Sequence, residues 1–126
     1  MQRIIVNLQN FVFSEAIERA LRSDGDFNVT IVERPQEVSH NCQLMAANAL
    51  LMEVSGYAPW RLEDRIQIRH QIKQNNPDCK VILLVDENSE KTVAQRVKQA
   101  KREGLIDLFI YGSTSTNFLV ALLDTL

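Results

Sequence analysis

The chain has 126 residues, 45% of them hydrophobic, which is enough apolar material for one core and not two. Acids and bases are interspersed to a net charge of −2, and only Lys98 to Arg102 stands out as a basic run, so composition excludes a phosphate-backbone binder. With no apolar N-terminal signal segment and no run of about 18 to 20 apolar residues, a cytoplasmic protein with no membrane attachment is expected.

In chain order, Arg3 to Asn7 carries the apolar run Ile4 to Val6 and predicts a central strand. From Phe11 to Arg22 the residues Val12, Phe13, Ala16, Ile17, Ala20 and Leu21 recur at helical spacing, and Ser23 to Asp26 supplies turn chemistry to end that helix. Phe27 to Val32, β-branched at nearly every place, predicts a second strand. Pro35 suits the first position of a short helix from about Gln36 to Met45. Asn48 to Ser55 follows as a short apolar run bounded by Gly56 and Pro59, which predicts a strand buried on both faces.

The second half repeats the alternation. Trp60 to Asn75 sets Leu62, Ile66, Ile68 and Ile72 among polar residues and predicts an amphipathic helix, broken at Asn75 to Asp78. Lys80 to Val85 is the most apolar strand. Ser89 to Glu103 predicts a helix with a serine cap and a narrow stripe of Val93, Val97 and Ala100, stopped by Gly104. Leu105 to Tyr111 predicts a fifth strand, and Ser113 to Thr116 offers caps for a last helix, Asn117 to Leu126. Five strands alternating with five helices predict one α/β domain with an open parallel sheet covered on both faces.

Glu53 is the first candidate for a functional position, because it is the one charge in its strand and stands at the C-terminal edge, where open α/β sheets place their sites. Other residues carry weaker signals. His40 and His70 lie apart, with no Cys, Asp or Glu in ligand register, and read as solvated side chains, so no metal site is expected. Ser14, Ser39 and Ser55 belong to no nucleophile motif, and Asn7 to Asn10 stands where a Gly-rich phosphate loop would follow the first strand, which argues against a nucleotide or flavin enzyme. Gln9 and Asn10 are left as groups able to hydrogen-bond a small ligand at the sheet's edge. Cys42 and Cys79 fall in no metal-ligand spacing and no disulfide framework, and read as reduced packing thiols.

The (βα)5 order, the length, and the landmarks Glu53 to Pro59, Val81 to Asp86 and Gly104 to Tyr111 resemble the receiver domain of bacterial two-component response regulators, the CheY-like domain. The resemblance covers the whole chain and implies a flavodoxin-like three-layer sandwich with strand order 2-1-3-4-5. It also implies where the family's phosphorylation site falls. The acidic pair that holds Mg²⁺ falls on Asn7 and Leu8, and the phosphoacceptor aspartate on Glu53. The backbone carbonyl of Ser55 matches a family Mg²⁺ ligand. The switch hydroxyl falls on Val85, next to Asp86, and the invariant lysine before a cis-proline falls on Tyr111, followed by Gly112. Phosphoryl transfer to a carboxylate needs a divalent ion and a cation to offset converging negative charge. Asn7, Leu8 and Tyr111 offer neither, so a degenerate, phosphorylation-independent pseudo-receiver is expected. Glu53 is then either a relict acid reaching solvent, the expected reading, or a longer side chain that imitates a phosphorylated aspartate with Tyr111 or Asn7 supplying a hydrogen bond.

The last helix adds a second expectation. Phe118 to Leu123 and Leu126 make it apolar nearly all round, so one face covers the sheet and the other is an interface. The resemblance implies self-association through the fourth helix, fifth strand and fifth helix, with Phe118, Leu119, Leu122 and Leu123 as its apolar part. At the rim, Lys98, Lys101 and Arg102 are expected to face Asp107. A non-enzymatic signalling module without a cofactor, acting on a protein partner or its own copy, is the function expected. The alternatives are a receiver phosphorylated on Glu53 or another acid, a small-ligand sensor at the sheet's edge, and a flavodoxin-like enzyme.

Overall fold

The computed structural model describes residues 2–24 and 26–126. Five parallel strands lie in the order β2-β1-β3-β4-β5. They are β1 (Gln2–Asn7), β2 (Phe27–Ile31), β3 (Ala49–Val54), β4 (Lys80–Val85) and β5 (Leu108–Tyr111). The helices are α1 (Phe11–Asp24), α2 (Val38–Met45), α3 (Leu62–Asn75), α4 (Lys91–Arg102) and α5 (Thr116–Asp124), with a 3-10 turn at Pro35–Glu37 leading into α2. Successive side chains of a strand point to opposite faces, so the sheet builds two cores. Ile5, Leu50, Met52, Val54, Val81, Leu83 and Val85 pack under α2, α3 and α4. Ile4, Val6, Ala49, Leu51, Ile82, Leu84 and Ile110 pack under α1 and α5. Strands buried on both faces need no alternation of polar residues, which is why β3 and β4 read as unbroken apolar runs.

Three boundaries differ from the sequence expectation, each for a local reason. β5 begins at Leu108 and not Leu105, because the Asp107 side chain accepts the Val81 N–H at 2.7 Å and its own N–H bonds the Val81 carbonyl at 3.0 Å, which starts the pairing late. α4 begins at Lys91 with no side-chain cap from Ser89, whose N–H is turned towards Asp86 Oδ1 at 3.3 Å. α1 takes in Ser23 and Asp24; Gly25, in the turn expected at Ser23 to Asp26, lies outside the described residues. Gly104 does end α4, with φ +77 in the left-handed region that glycine occupies without steric cost. At the end of α2 the same region is held by an alanine, Ala46 at φ 49. Ser115 caps α5, its hydroxyl oxygen accepting the Phe118 N–H at 3.2 Å.

The rest of α3 departs from a simple amphipathic reading. Its buried positions are Leu62, Arg65 and Ile72, with Ile66 and Ile68 partly buried against the same core, so an arginine, 1% exposed, sits within the buried face.

Candidate functional site

The C-terminal ends of β1, β3, β4 and β5 and the loops that follow them form one edge of the sheet. On its α1 and α5 side lies a groove of about 200 Å³ lined by Leu8, Asn10, Phe13, Glu53, Leu84, Asp86 and Gly112. Strand parity decides who reaches it. Glu53 sits opposite Leu84 in register and shares its face, whereas Val54, Val85 and Tyr111 belong to the other face. Of the seven site positions expected from the sequence, Leu8, Glu53 and Asp86 are brought together. Val85 is fully buried under α4, and Tyr111 stacks edge-on against Phe109 with ring centroids 5.7 Å apart. Asn7, two residues beyond Ile5 and on its face, is fully buried and donates its amide to the Val32 carbonyl at 2.6 Å. The expectation that Asn7 or Tyr111 would hydrogen-bond Glu53 is therefore corrected. Both are turned to the opposite side of the sheet.

Gln9 holds Glu53 instead. Its backbone N–H donates to Glu53 Oε1 at 2.8 Å and its side-chain amide to Oε2 at 3.3 Å, so each carboxylate oxygen of the half-buried Glu53 has one donor. At the strand end the Glu53 carboxylate is therefore held by Gln9 in two solvent-exposed hydrogen bonds. The same bonds occupy Gln9, and Asn10 is occupied as the cap of α1, its side-chain oxygen accepting the Phe13 N–H at 3.0 Å. Gln9 is thus engaged with Glu53, while Asn10, its side-chain oxygen used as the cap, still lines the groove. Across the groove, Asp86 Oδ1 accepts N–H groups from Asn88 at 3.0 Å and Ser89 at 3.3 Å. The Ser89 hydroxyl and these two amides hold its carboxyl below the ordinary range.

Arg65 backs β3 from the other face. Its Nε donates to the Glu53 carbonyl at 2.8 Å, Nη1 approaches Met52 Sδ at 3.5 Å, and the guanidinium lies 4.5 Å from the centre of the Trp60 ring. Burial pushes its pKa down to about 10, against the opposing pull of the Glu53 and Asp64 carboxylates, so it stays charged at neutral pH. Nη2 of Arg65 and Oδ1 of Asn7 are buried without a partner among the described residues. The loop from Ser55 to Arg61 is stapled to the same cluster. Ser55 N–H bonds the Trp60 carbonyl at 2.8 Å, Trp60 N–H bonds the Tyr57 carbonyl at 2.8 Å, and the Ser55 hydroxyl accepts the Tyr57 N–H at 3.3 Å. Sequence reasoning missed Arg65 because a cation at the spacing of a solvated helix face is ordinarily exposed. The one signal available was its position three residues after Leu62 and seven before Ile72, on the buried stripe.

These donors do not fit the Mg²⁺ that the fold family implies. Leu8 brings no ligand atom, Asn7 points away, Glu53 is satisfied by Gln9, and a hard cation asks for convergent oxygens. No group of three or more His, Cys, Asp or Glu side chains able to hold a metal occurs among the described residues. His40 and His70 are both exposed.

The interface residues divide differently from the expectation. Leu119 (3% exposed) and Leu123 (fully buried) are core residues and present no surface, while Leu122 is half-buried and Phe118 is 60% exposed. Asp107 does not face the basic run of α4. It pairs with Lys73 of α3 at 3.0 Å, leaving Lys98, Lys101 and Arg102 exposed on α4.

No protein-family model and no curated protein matches the sequence. Solved structures do match the fold. A response regulator receiver domain protein from Clostridium thermocellum superposes with TM-score 0.79 at 16% identity, covering 99% of this chain and 93% of that one. A member of a family of redox sensors in the streptococci that evolved from two-component response regulators gives TM-score 0.80 at 14% identity, covering 99% of this chain and 50% of that one. A structure described as an adenylate cyclase from Rhodopirellula baltica gives TM-score 0.77 at 14% identity, covering 98% and 85%. The chain therefore has the CheY-like receiver fold, and likeness at such identities speaks for the fold alone. Among the described residues no helix is long and apolar enough to cross a membrane.

Proposed function

We propose that this chain is a receiver-like regulatory domain of the two-component type that works without aspartyl phosphorylation, by binding protein partners in the cytoplasm. The observation that carries the reading is the Gln9 bridge. The carboxylate standing at the phosphoacceptor position already has a donor on each oxygen, and no lysine, hydroxyl or acidic pair faces it in the groove. Phosphoryl transfer there would bring a dianion against Glu53 and Asp86 with no cation among the residues lining the groove, at a cost that nothing in the groove offsets. Arg65, on the reverse side, ties the β3 end to the loop that follows it through the Glu53 carbonyl and Trp60. Self-association through the α4, β5 and α5 face belongs to the same proposal, with the exposed Phe118 of α5 as its apolar anchor and the exposed Lys98, Lys101 and Arg102 of α4 as its charged part.

The test is incubation of the pure protein with Mg²⁺ and a small phosphodonor, or beryllofluoride, read by intact mass and Trp60 fluorescence. Trp60 lies on Arg65, which bonds the Glu53 carbonyl, so any rearrangement of the strand end reaches the fluorophore. An unchanged mass and spectrum are expected, with light scattering giving a dimer. A phosphoryl adduct, or a Mg²⁺-dependent spectral change, overturns the reading.

A further inference from the structure

The top of β3 departs from a regular parallel ladder at one rung. In such a ladder the N–H and C=O groups of a strand point alternately to its two neighbours. Gln2 N–H bonds the Asp26 carbonyl at 3.1 Å and Val32 N–H bonds the Val6 carbonyl at 2.9 Å, so the even residues of β1 face β2. Its odd residues face β3, and Asn48 N–H accordingly bonds the Arg3 carbonyl at 2.7 Å. Asn7 stands opposite Met52 in register, so one rung further on the regular acceptor for the Gln9 N–H is the Glu53 carbonyl. Gln9 does not use it. Its N–H goes to the Glu53 carboxylate at 2.8 Å, and the carbonyl accepts Nε of Arg65 at 2.8 Å from the other side of the sheet. The guanidinium is 1% exposed, with Nη1 at 3.5 Å from Met52 Sδ and the centre of the Trp60 ring at 4.5 Å, so it is seated where it bonds.

We propose that Arg65 is a positioning residue for the Glu53 site: by occupying the Glu53 carbonyl it holds the β1–β3 ladder one rung short and leaves the Gln9 N–H to the carboxylate. Gln9 has one backbone N–H, and Glu53 offers it two acceptors, one on the main chain and one on the side chain. The carbonyl is part-buried, whereas the carboxylate bonds are exposed to solvent. A part-buried carbonyl without a donor is costlier than a carboxylate that water still reaches. Without Arg65 the Gln9 N–H therefore closes the missing rung, and the carboxylate keeps only the Gln9 side-chain amide and solvent. A side chain on the α3 face thus sets the hydrogen bonding of an acid on the α1 and α5 face, through the β3 backbone between them. Arg65 in this role presupposes the Gln9 bridge, on which the proposed function also rests.

The experiment follows the Gln9 amide of the isotope-labelled full chain by NMR as pH is lowered. An N–H bonded to a carboxylate shifts when that carboxylate takes up a proton, and one bonded to a backbone carbonyl does not. In the wild type the Gln9 amide is expected to titrate, to stop titrating in Glu53→Gln, and to go on titrating in Asp86→Asn, which removes the other titratable group lining the groove. Arg65→Met is expected to lose the Gln9 titration while the rest of its spectrum stays dispersed, and Arg65→Lys, which returns a donor, to restore it. An Arg65→Met chain whose Gln9 amide titrates as in the wild type, or an Arg65→Lys chain that behaves as Arg65→Met does, overturns the role of Arg65 and leaves the bridge standing. A wild-type Gln9 amide that does not titrate removes the bridge, and with it the support for both readings. If Arg65→Met does not fold, scalar couplings across the hydrogen bonds of the wild type decide. Coupling of Arg65 Nε to the Glu53 carbonyl carbon, with Gln9 N–H coupled to the carboxylate carbon, is expected; Gln9 N–H coupled to the Glu53 carbonyl carbon overturns the proposal.

Discussion

A single side chain, Arg65, decides how the end of β3 is held. It is buried, bonded to the Glu53 carbonyl and stacked on Trp60, so its removal opens a cavity and strips a carbonyl of its donor. Arg65→Ala is expected to lower the unfolding free energy by about 3 kcal/mol, and Arg65→Met, which refills the space but not the bond, by about 1 kcal/mol. Urea unfolding checks both, and equal costs would mean that the hydrogen bond and not the packing governs. The groove gives a second prediction. Leu8 faces Glu53 and Asp86, whereas Asn7 faces Val32. Leu8→Asp combined with Glu53→Asp is therefore expected to gain Mg²⁺-dependent Trp60 quenching, and Asn7→Asp combined with Glu53→Asp is not. Glu53 itself was legible in the sequence as a lone acid ending an apolar strand. Its partner was not, because Gln9 reaches it through a backbone N–H, and no residue type advertises that.

Elements were easier to read than their ends. Hydrophobic period alone separates the five strands from the five helices, since both depend on burial summed over many residues. Ends depend on one or two bonds, and Asp107 shows how. It accepts the Val81 N–H and pairs with Lys73, tying α3 to β4 and delaying β5. From sequence its nearest cations were those of α4, while the fold brings in Lys73 from the preceding helix. Burial pushes the Asp107 carboxyl up, but the Val81 N–H and the Lys73 ammonium outweigh it and hold it below the ordinary range. A depressed folded pKa means that this group's stabilisation is complete above the unfolded value of about 3.9 and fades as pH falls through the folded one. Thermal melts from pH 5 to pH 2 should show wild-type stability falling more steeply than that of Asp107→Asn, with parallel curves contradicting the assignment. At the end of α4, Gly104→Ala has open space around its new methyl group but keeps φ +77, and is expected to cost about 1 kcal/mol from backbone conformation alone.

For the whole molecule, the sheet order and the two cores agree with the (βα)5 pattern and with the fold of solved receivers. Which face meets another molecule was less legible, because a helix apolar all round does not say how deeply each side is set. α5 hides Leu119 and Leu123 and leaves Phe118 outside. Phe118→Glu is expected to give a monomer in light scattering with an unchanged melting temperature, whereas Leu123→Glu should unfold the domain; a dimer surviving Phe118→Glu would remove this face from the proposal. The bridge between Gln9 and Glu53 has one more consequence, which concerns time. A phosphoryl group on an acyl oxygen carries its own clock: it hydrolyses, and other proteins shorten or lengthen its stay. Two hydrogen bonds to a genetically encoded carboxylate re-form as fast as they break and leave no record of a past stimulus. On the proposed reading, the Glu53 site of such a domain keeps no memory, so a signal passed through it lasts only as long as the binding event that produces it.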